Sequence, residues 1–294
     1  MKKENGDMKK PRVIAEIGCN HKGDLELAKE FIKVAKIYAN ADVVKFQKRD
    51  VETWAKKYPE QYNAPHPNPA NAYGKTYKEH RENLEFDLEQ NRILKEYCEE
   101  MGITYSTSVW DMKSAQEIAS LKPELIKIPS ACNTNLEMLE WLCDNYDGEI
   151  HISTGMTTHD EVDAVVDLFV RKGKNKNLVL YDCTSGYPVP AEDVCLLEIN
   201  NLKEKYGDIV KEIGFSGHHL GIAIDVAAYT LGATTIERHF TLDRTWKGTD
   251  HAASLEPDGL RKLVRDLNAV HKALTYKKEE VLDIEKVQRK KLKW

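Results

Sequence analysis

Residues 124–145 read ELIKIPSACNTNLEMLEWLCDN. A short apolar run comes first, Leu125–Ile128, and an amphipathic stretch, Leu136–Asn145, follows after a polar turn. This order is typical of one strand and one helix of a parallel sheet. The stretch therefore predicts a β/α unit whose polar residues collect where the strand ends.

The same alternation recurs along the 294 residues. The predicted strands are Val13–Ile17, Val43–Phe46, Thr104–Thr107, Leu125–Ile128, Ile150–Ser153, Leu178–Asp182, Ile213–Ser216 and Thr235–Phe240. The predicted helices include Leu25–Ala39, Leu88–Met101, Leu136–Asn145, Glu161–Val170 and, after the last strand, Asp258–Thr275. Eight such units predict an α/β protein with a TIM (β/α)8 barrel, and a doubly wound sheet is the weaker alternative.

We expect residues 1–294 to form a single barrel domain, with an N-terminal extension at 1–11 and a C-terminal helix or tail at 277–294. One long interruption, from Arg49 to about Asp87, follows the second strand and lacks a clear period. A structureless connection of that length inside a domain is usually a functional loop. Its place after a strand predicts that it covers the C-terminal mouth of the barrel.

Composition excludes several classes of function. The net charge is -5, whereas nucleic-acid binding needs a surplus of clustered basic residues. The sequence has neither a membrane-length apolar run nor a signal peptide, so we expect a cytoplasmic protein without a membrane partner. Six cysteines without a C-x-x-C pair predict reduced thiols rather than a zinc knuckle.

Two lysines lie inside apolar strands, Lys45 and Lys127. A buried ammonium is rare unless it is paired, so both predict an anionic ligand, and one small molecule with a phosphate and a carboxylate would suit them. Serine and threonine hydroxyls at several strand ends would complete a phosphate cradle.

Two histidines end the last two predicted strands, His218 and His239. Neighbouring strands would bring their imidazoles together on one divalent ion. On spacing alone, His21, His159 and His251 could equally be offered as ligands. Such a site leaves positions open for substrate oxygens, as a Lewis acid requires.

Taken together, eight segments resemble the sialic acid synthases, also called N-acetylneuraminate synthases, over nearly the whole chain. The segments are IAEIGCNHKGD (14–24), VKFQ (44–47), IKIPS (126–130), STGM (153–156), CTSGYPVPAEDV (183–194), GFSGHH (214–219), ERHFTLD (237–243) and GTDHAASLEP (248–257). Each is weak alone, and their order makes the match specific.

The resemblance implies a transferase that joins phosphoenolpyruvate to an aldose, N-acetylmannosamine or a related hexose, and releases phosphate. The product would be a nine-carbon 2-keto-3-deoxy sugar acid. The implied cofactor is a divalent metal ion, usually Mn2+, with Mg2+ or Co2+ as alternatives, and a homodimer is the default assembly.

The resemblance also assigns residues. The implied metal ligands are His218 and His239. The implied catalytic residues are Glu16, Asp250, Lys45 and Lys127. The implied substrate-binding residues are Gln47, Asn71, Thr107, Ser130, Ser153, Ser185, Tyr187 and Ser216.

Two departures from the family pattern affect the sugar. Members often read K-I-G-S-G-[DE] after the fourth strand, and this chain reads KIPSAC, which places Cys132 where an acid would contact the sugar. Many members also continue into an antifreeze-like domain, and this sequence stops before one, so we expect a single-domain member.

Two other functions remain open. A synthase for a phosphorylated aldose, giving a 9-phosphate or another deoxy-keto acid phosphate, would need a second anion site. The long interruption offers Lys56, Lys57, Lys75, Lys78 and Arg81 for it. A barrel that binds sugar or phosphate without turnover is disfavoured, because a binder needs neither a metal nor acid/base groups.

Overall fold

The computed structural model describes residues 8–294 and shows a closed barrel of eight parallel strands in chain order. The strands are β1 Arg12–Gly18, β2 Val43–Lys48, β3 Thr104–Val109, β4 Leu125–Ile128, β5 Glu149–Ser153, β6 Leu178–Asp182, β7 Glu212–Gly217 and β8 Thr235–His239. The predicted (β/α)8 barrel is confirmed. The doubly wound alternative is wrong, because β1 pairs with β8. The predicted extension at 1–11 lies partly outside the described residues.

The register at the closure places three site residues at one level of the barrel. Glu16 on β1 pairs with His239 on β8 and with Lys45 on β2. Parallel strands carry these side chains toward the C-terminal end, where barrels of this kind hold their binding sites.

Helices surround the barrel. They are α1 Leu25–Lys33, α2 Val51–Lys57, α3 Pro59–Asn63, α4 Tyr77–Leu84, α5 Leu88–Met101, α6 Met112–Ser120, α7 Leu136–Asn145, α8 His159–Arg171, α9 Glu198–Tyr206, α10 Ala223–Leu231, α11 Pro257–Ala273 and α12 Asp283–Leu292. The predicted helix Leu25–Ala39 differs from the structure: α1 stops at Lys33, and a π-helical turn, Val34–Tyr38, completes the segment.

The segment after β2 is not structureless, so that expectation is wrong. It folds into α2, α3 and α4 with one further 3-10 turn. Asp50 caps α2 by accepting the Thr53 N–H, and Thr76 caps α4 by accepting the Glu79 N–H. These helices have five to eight residues and few buried apolar positions, so they carry little of the periodicity by which a helix is recognised.

Successive side chains along each strand point alternately toward the helices and into the barrel, which gives an outer core and a separate barrel interior. On β2, Val44 and Phe46 are fully buried toward the helices, while Val43 and Lys45 belong to the interior. The lower interior is a small apolar cluster of Ile14, Val43, Leu125, Val179 and Tyr181. This cluster fills the barrel below the charged residues, and in the described residues the cavity lies at the C-terminal mouth.

The C-terminal segment, predicted as a helix or tail at 277–294, contains α12. No residue of α12 is buried, and Ile284 is 83% exposed. In residues 8–294, no helix is both long enough and apolar enough to span a membrane.

Candidate active site

A cavity of about 620 Å³ opens at the C-terminal mouth of the barrel. Most of the site residues predicted from the sequence line it. They are Glu16, Lys45, Gln47, Lys127, Ser130, Ser153, Ser185, Tyr187, Ser216, His218, His239 and Asp250. The structure thus brings together residues from seven strands or strand ends and from the loop after β8.

Four buried charges form the floor of this cavity. The Lys127 ammonium lies 3.0 Å from both carboxylate oxygens of Glu237 and 4.0 Å from the centre of the Tyr181 ring. The Lys45 ammonium pairs with Glu16 and lies 3.7 Å from Glu237 Oε1. The two lysines are therefore compensated within the protein, which corrects the expectation that a ligand alone supplies the negative charge.

The floor carboxylates have opposite pKa shifts. Burial raises the pKa of Glu16 to about 7, although the nearby Lys45 ammonium opposes this. Burial would raise the pKa of Glu237 as well, but Lys127 and Lys45 outweigh it and hold that pKa below its ordinary value. Glu237 is therefore the fixed counter-charge, and Glu16 can gain or lose a proton near neutral pH.

The pKa values of the two floor lysines also shift in opposite directions. Burial lowers the pKa of Lys127, even though Glu237 opposes the shift. For Lys45 the neighbouring carboxylates of Glu16 and Glu237 outweigh burial, and the pKa is raised. An anionic ligand beside them would raise the pKa of both lysines, because a nearby opposite charge favours the protonated form.

Two imidazoles stand together at one side of the cavity. The ring centres of His218 and His239 are 5.4 Å apart. Burial lowers both pKa values, that of His218 to about 3, so each ring is neutral and keeps a lone pair. His218 Nδ1 lies 3.0 Å from the Thr184 carbonyl oxygen, which fixes Nδ1 as the donor and leaves the lone pair on Nε2.

This arrangement suits a divalent ion. His239 Nδ1 is buried without a hydrogen-bond partner in the described residues, and the Tyr187 ring lies 4.4 Å from the His218 ring. Residues 8–294 hold no cluster of three or more potential protein ligands, so water or substrate would have to complete the coordination.

A buried ion pair supports the histidines from behind. Arg238, next to His239, donates to the Asp225 carboxylate at 2.5 Å and to the His219 carbonyl oxygen at 2.6 Å. Arg238 is 1% exposed. The pair ties the end of β8 to the loop after β7, and this fixes His218 relative to His239.

Two glycines allow side chains to meet in the cavity. A Cβ on Gly155 would come within 2.4 Å of Ser185 Oγ and 2.7 Å of Ser130 Oγ. A Cβ on Gly18, whose φ is +57°, would lie 2.9 Å from Gln47 Nε2 and near the Glu16 and Asp250 carboxylates. Glycine at both positions therefore makes room for predicted site residues.

Two predicted site residues lie elsewhere. Thr107 faces the helices, and its hydroxyl donates to the Tyr105 hydroxyl at 2.6 Å. The pocket residue of β3 is Ser108, whose Oγ accepts from Lys45 Nζ at 2.6 Å. Asn71 is outside the cavity lining, and its side-chain oxygen accepts from the Gly248 N–H at 3.3 Å. It joins the segment after β2 to the loop after β8.

Cys132 also departs from its expected place. Its thiol is buried and donates to the Trp110 carbonyl oxygen at 3.1 Å, and the neighbouring Ala131 lines the cavity instead. The acid of the family pattern therefore has no replacement at Cys132.

Several lining residues were not among the predicted site residues. They include Glu237, Ser108, Arg49, Trp54, Trp110, Tyr58, Tyr62 and Tyr77, and Arg81 had been offered only for a second anion site. Glu237 could have been found, because it lies two residues before His239 and must point to the same face of β8. The aromatic residues could not, because their positions depend on how the segment after β2 folds.

The chain is similar in sequence to synthases of sialic-acid-type sugar acids. It is 41% identical to N-acetylneuraminate-9-phosphate synthase of Homo sapiens over 282 residues, which cover 95% of this chain and 76% of that protein. It is 36% identical to N,N'-diacetyllegionaminic acid synthase of Campylobacter jejuni over 272 residues, with 91% and 78% covered.

Solved structures of related proteins have the same fold as this chain. N-acetylneuraminic acid synthetase from Leptospira borgpetersenii, crystallised with citrate, is 30% identical with a TM-score of 0.79, covering 97% of this chain and 93% of that one. A truncated 3-deoxy-D-arabino-heptulosonate 7-phosphate synthase from Thermotoga maritima has a TM-score of 0.66 at 15% identity and 92% coverage of both chains, and shares the fold.

Fold and cavity define a (β/α)8-barrel protein with a polar, charge-lined site at the barrel mouth. The chain belongs to the NeuB family, whose model matches residues 31–279. The resemblance to the sialic acid synthases seen in the sequence is thereby confirmed.

Proposed function

We propose that this protein joins phosphoenolpyruvate to the aldehyde carbon of an open-chain aldose and, with water, forms a nine-carbon 2-keto-3-deoxy sugar acid and phosphate. The observation that carries the proposal is the pair of ammonium groups, Lys45 and Lys127, at the floor of a cavity that two neutral imidazoles also line. The relatives' names support the reaction class.

Phosphoenolpyruvate would lie on the floor, where the lysines meet its carboxylate and phosphate. The hydroxyls of Ser130 and Ser185 converge above them around Gly155, and small side chains there leave room for phosphoryl oxygens. Because the pKa of Glu16 is about 7, this carboxyl can take a proton as the anion arrives, which frees Lys45 to face the substrate.

The bond changes set the demands on the site. Carbon 3 of phosphoenolpyruvate bonds to the aldehyde carbon, and the aldehyde oxygen takes a proton. Water then adds to carbon 2 and loses its protons, and phosphate leaves with the bridging oxygen, so that the water oxygen becomes the keto oxygen. Charges placed in advance lower the barrier to both steps.

The chain's own residues would supply those charges. Lys127, held by Glu237, stabilises the phosphate as it leaves. Glu16 and Asp250 meet around Gly18 on the sugar side of the cavity, where a carboxyl group can move protons to and from the aldehyde oxygen and the water.

His218 and His239 would hold the divalent ion, Mn2+ in our proposal. When bound, such an ion supplies Lewis-acid polarisation of the carbonyl oxygen. The neutral state of both rings and the orientation of His218 by the Thr184 carbonyl support this assignment.

A non-catalytic sugar-binding barrel is the contrasting function. A binder gains nothing from a buried carboxyl with a pKa near 7 beside two lysines, because each such charge costs stability.

We also propose a homodimer, the commonest symmetric assembly, which light scattering of the purified protein would test.

The experiment is a product analysis. Purified protein is incubated with phosphoenolpyruvate, Mn2+ and a panel of free and 6-phosphorylated aldoses, and the products are identified by mass. We expect a keto acid three carbons longer than one of the hexoses. Unchanged phosphoenolpyruvate with every sugar would contradict the proposed reaction.

A further inference from the structure

An aromatic ring that the proposed chemistry does not use lies against the floor lysine Lys127. The Lys127 ammonium is over the face of the Tyr181 ring, 4.0 Å from its centre. Tyr181 is fully buried on β6 and belongs to the apolar cluster of the lower barrel interior. The negative face of such a ring attracts an ammonium, and the attraction is stronger where water is excluded.

The protein occupies two sides of the Lys127 ammonium. Its Nζ donates to both carboxylate oxygens of Glu237, and the Tyr181 ring takes another side. Lys127 also lines the cavity at the barrel mouth. Because an ammonium has three N–H donors, the donor that Glu237 does not take is available to an anion in the cavity.

The hydroxyl of Tyr181 is held by a buried imidazole. The Tyr181 hydroxyl oxygen lies 2.6 Å from His151 Nδ1, and His151 Nε2 lies 2.8 Å from Glu149 Oε2. Burial lowers the pKa of His151 to about 4, although its hydrogen bond to Glu149 opposes the shift, so the ring is neutral. A carboxylate can only accept, so Nε2 carries the proton and Nδ1 accepts from the Tyr181 hydroxyl.

Glu149 is fixed in turn by two cations at the N-terminal end of the barrel. It accepts from Arg12 at 2.7 Å and from Lys211 at 2.6 Å. Burial would raise the pKa of Glu149, but its hydrogen bonds outweigh burial and hold that pKa below its ordinary value. The orientation of the Tyr181 ring therefore depends on a chain of contacts that runs from the lower end of the barrel up to Lys127.

We propose that Tyr181 is a positioning residue for the reaction: its ring, oriented by His151, keeps the Lys127 ammonium directed at the phosphoenolpyruvate anion. The inference rests on the proposed function for the identity of that anion. Without the ring, the space beside Lys127 Nζ would be open to water and to movement of the side chain. Ordering the lysine would then cost part of the binding free energy.

Binding without turnover tests the role of the ring. Phosphoenolpyruvate is titrated into the full-length protein with Mn2+ by calorimetry, with sugar absent. Tyr181→Leu should weaken binding about three- to thirtyfold, the range for losing a desolvated contact between a cation and a ring. Tyr181→Phe keeps the ring and should bind within about threefold of wild type, although it should be less stable because His151 Nδ1 loses its donor. Wild-type affinity in Tyr181→Leu, or an equal loss in both variants, would overturn the inference.

A matched control separates positioning from packing. Val179 lies two residues before Tyr181 on β6, in the same interior cluster. Val179→Ala should destabilise the fold, because it leaves a cavity, and should keep wild-type affinity for phosphoenolpyruvate. A loss of affinity in Val179→Ala as large as in Tyr181→Leu would assign the effect to packing and overturn the inference.

Two further variants show whether Tyr181 acts through Lys127. When Lys127→Met and Glu237→Gln have removed the ion pair, adding Tyr181→Leu should not weaken binding further, because the ammonium is gone. The same loss with and without the ammonium would overturn the inference. If Tyr181→Leu does not fold, a trifluorinated phenylalanine at position 181 keeps the shape and withdraws electron density from the ring face. It should bind phosphoenolpyruvate more weakly than Tyr181→Phe, and equal binding would contradict the positioning role.

Turnover separates this inference from the proposed function. If Tyr181→Leu weakens phosphoenolpyruvate binding as expected but no sugar yields a keto acid in the wild type, the proposed reaction fails and the positioning role stands. If the keto acid forms and Tyr181→Leu binds phosphoenolpyruvate as tightly as wild type, the reaction stands and the positioning role fails. A wild-type protein that binds no phosphoenolpyruvate would contradict both.

Discussion

The Lys127 ammonium and the Glu237 carboxylate face each other across the barrel floor, with Nζ 3.0 Å from both oxygens. Both side chains are at least nine-tenths buried. Burial of two charges is costly unless each has a partner, so neither side chain can lose its opposite charge when a ligand binds or leaves. The ion pair thus holds one cation ready for an anionic substrate without leaving it unpaired in the free protein.

Lys127→Met should destabilise the fold. The change leaves Glu237 with the more distant Lys45 as its cation, and an uncompensated buried charge costs on the order of 3–5 kcal/mol. Urea unfolding would measure the loss. The double variant Lys127→Met with Glu237→Gln should recover most of it, and a Lys127→Met protein as stable as wild type would show that the pair carries no such energy.

The same lysine should govern phosphoenolpyruvate affinity. In folded Lys127→Met, the apparent KM for phosphoenolpyruvate should rise by a factor on the order of ten to a thousand, because a charge-assisted hydrogen bond of about 1.5–3 kcal/mol and part of the field are lost. The KM for the sugar should change far less. Steady-state kinetics at saturating sugar and metal give both values, and an unchanged phosphoenolpyruvate KM would move Lys127 out of the substrate site.

Metal removal should abolish activity, and manganese should restore it. His218→Ala and His239→Ala should each lose activity and bound Mn2+ while the circular dichroism spectrum stays native. The physical reason is that these neutral rings are the strongest candidate ligands at the cavity. Full turnover in excess chelator, or a histidine variant with wild-type rate and metal content, would contradict the assignment.

Stability should depend on pH through Asp182. Burial raises the pKa of this helix-facing carboxyl to about 7, and its Oδ2 has no hydrogen-bond partner among the described residues. Between about pH 4 and 7 the native state keeps the proton that the unfolded state loses, so the Asp182 contribution to stability falls as pH rises through this window.

Asp182→Asn should therefore match wild type at pH 4 and exceed it above pH 7, by on the order of 1–4 kcal/mol for a shift of this size. Thermal or urea unfolding at the two pH values gives the comparison. An Asp182→Asn protein that is less stable at pH 8 would show that the ionised carboxylate has a stabilising partner.

The barrel could be predicted because each strand is a short apolar run whose neighbours in sequence are helices. Leu125–Ile128 and Leu178–Asp182 have the predicted bounds, and α5 and α7 begin and end where expected. Strand ends then predicted the cavity, since parallel strands of a barrel deliver their C-terminal residues to one mouth.

Features that depend on pairing across the barrel could not be predicted. The sequence indicated buried lysines but not that Glu16 and Glu237 would face them, because four residues on four strands meet there through barrel closure. Thr107 was taken for the lining residue instead of Ser108, since the inward face of β3 is set by its register with β2. The cavity positions of Trp54, Tyr62 and Tyr77 depend on helices too short to show a period.

The most direct test of the central claim is the coupling between phosphate release and carbon–carbon bond formation. Purified protein with Mn2+ and phosphoenolpyruvate is assayed for phosphate and keto acid together, with and without N-acetylmannosamine or its 6-phosphate. We expect one keto acid of the added carbon count for each phosphate released, and no phosphate when the sugar is omitted. Phosphate released at the same rate without a sugar, or no phosphate with either one, would contradict the account.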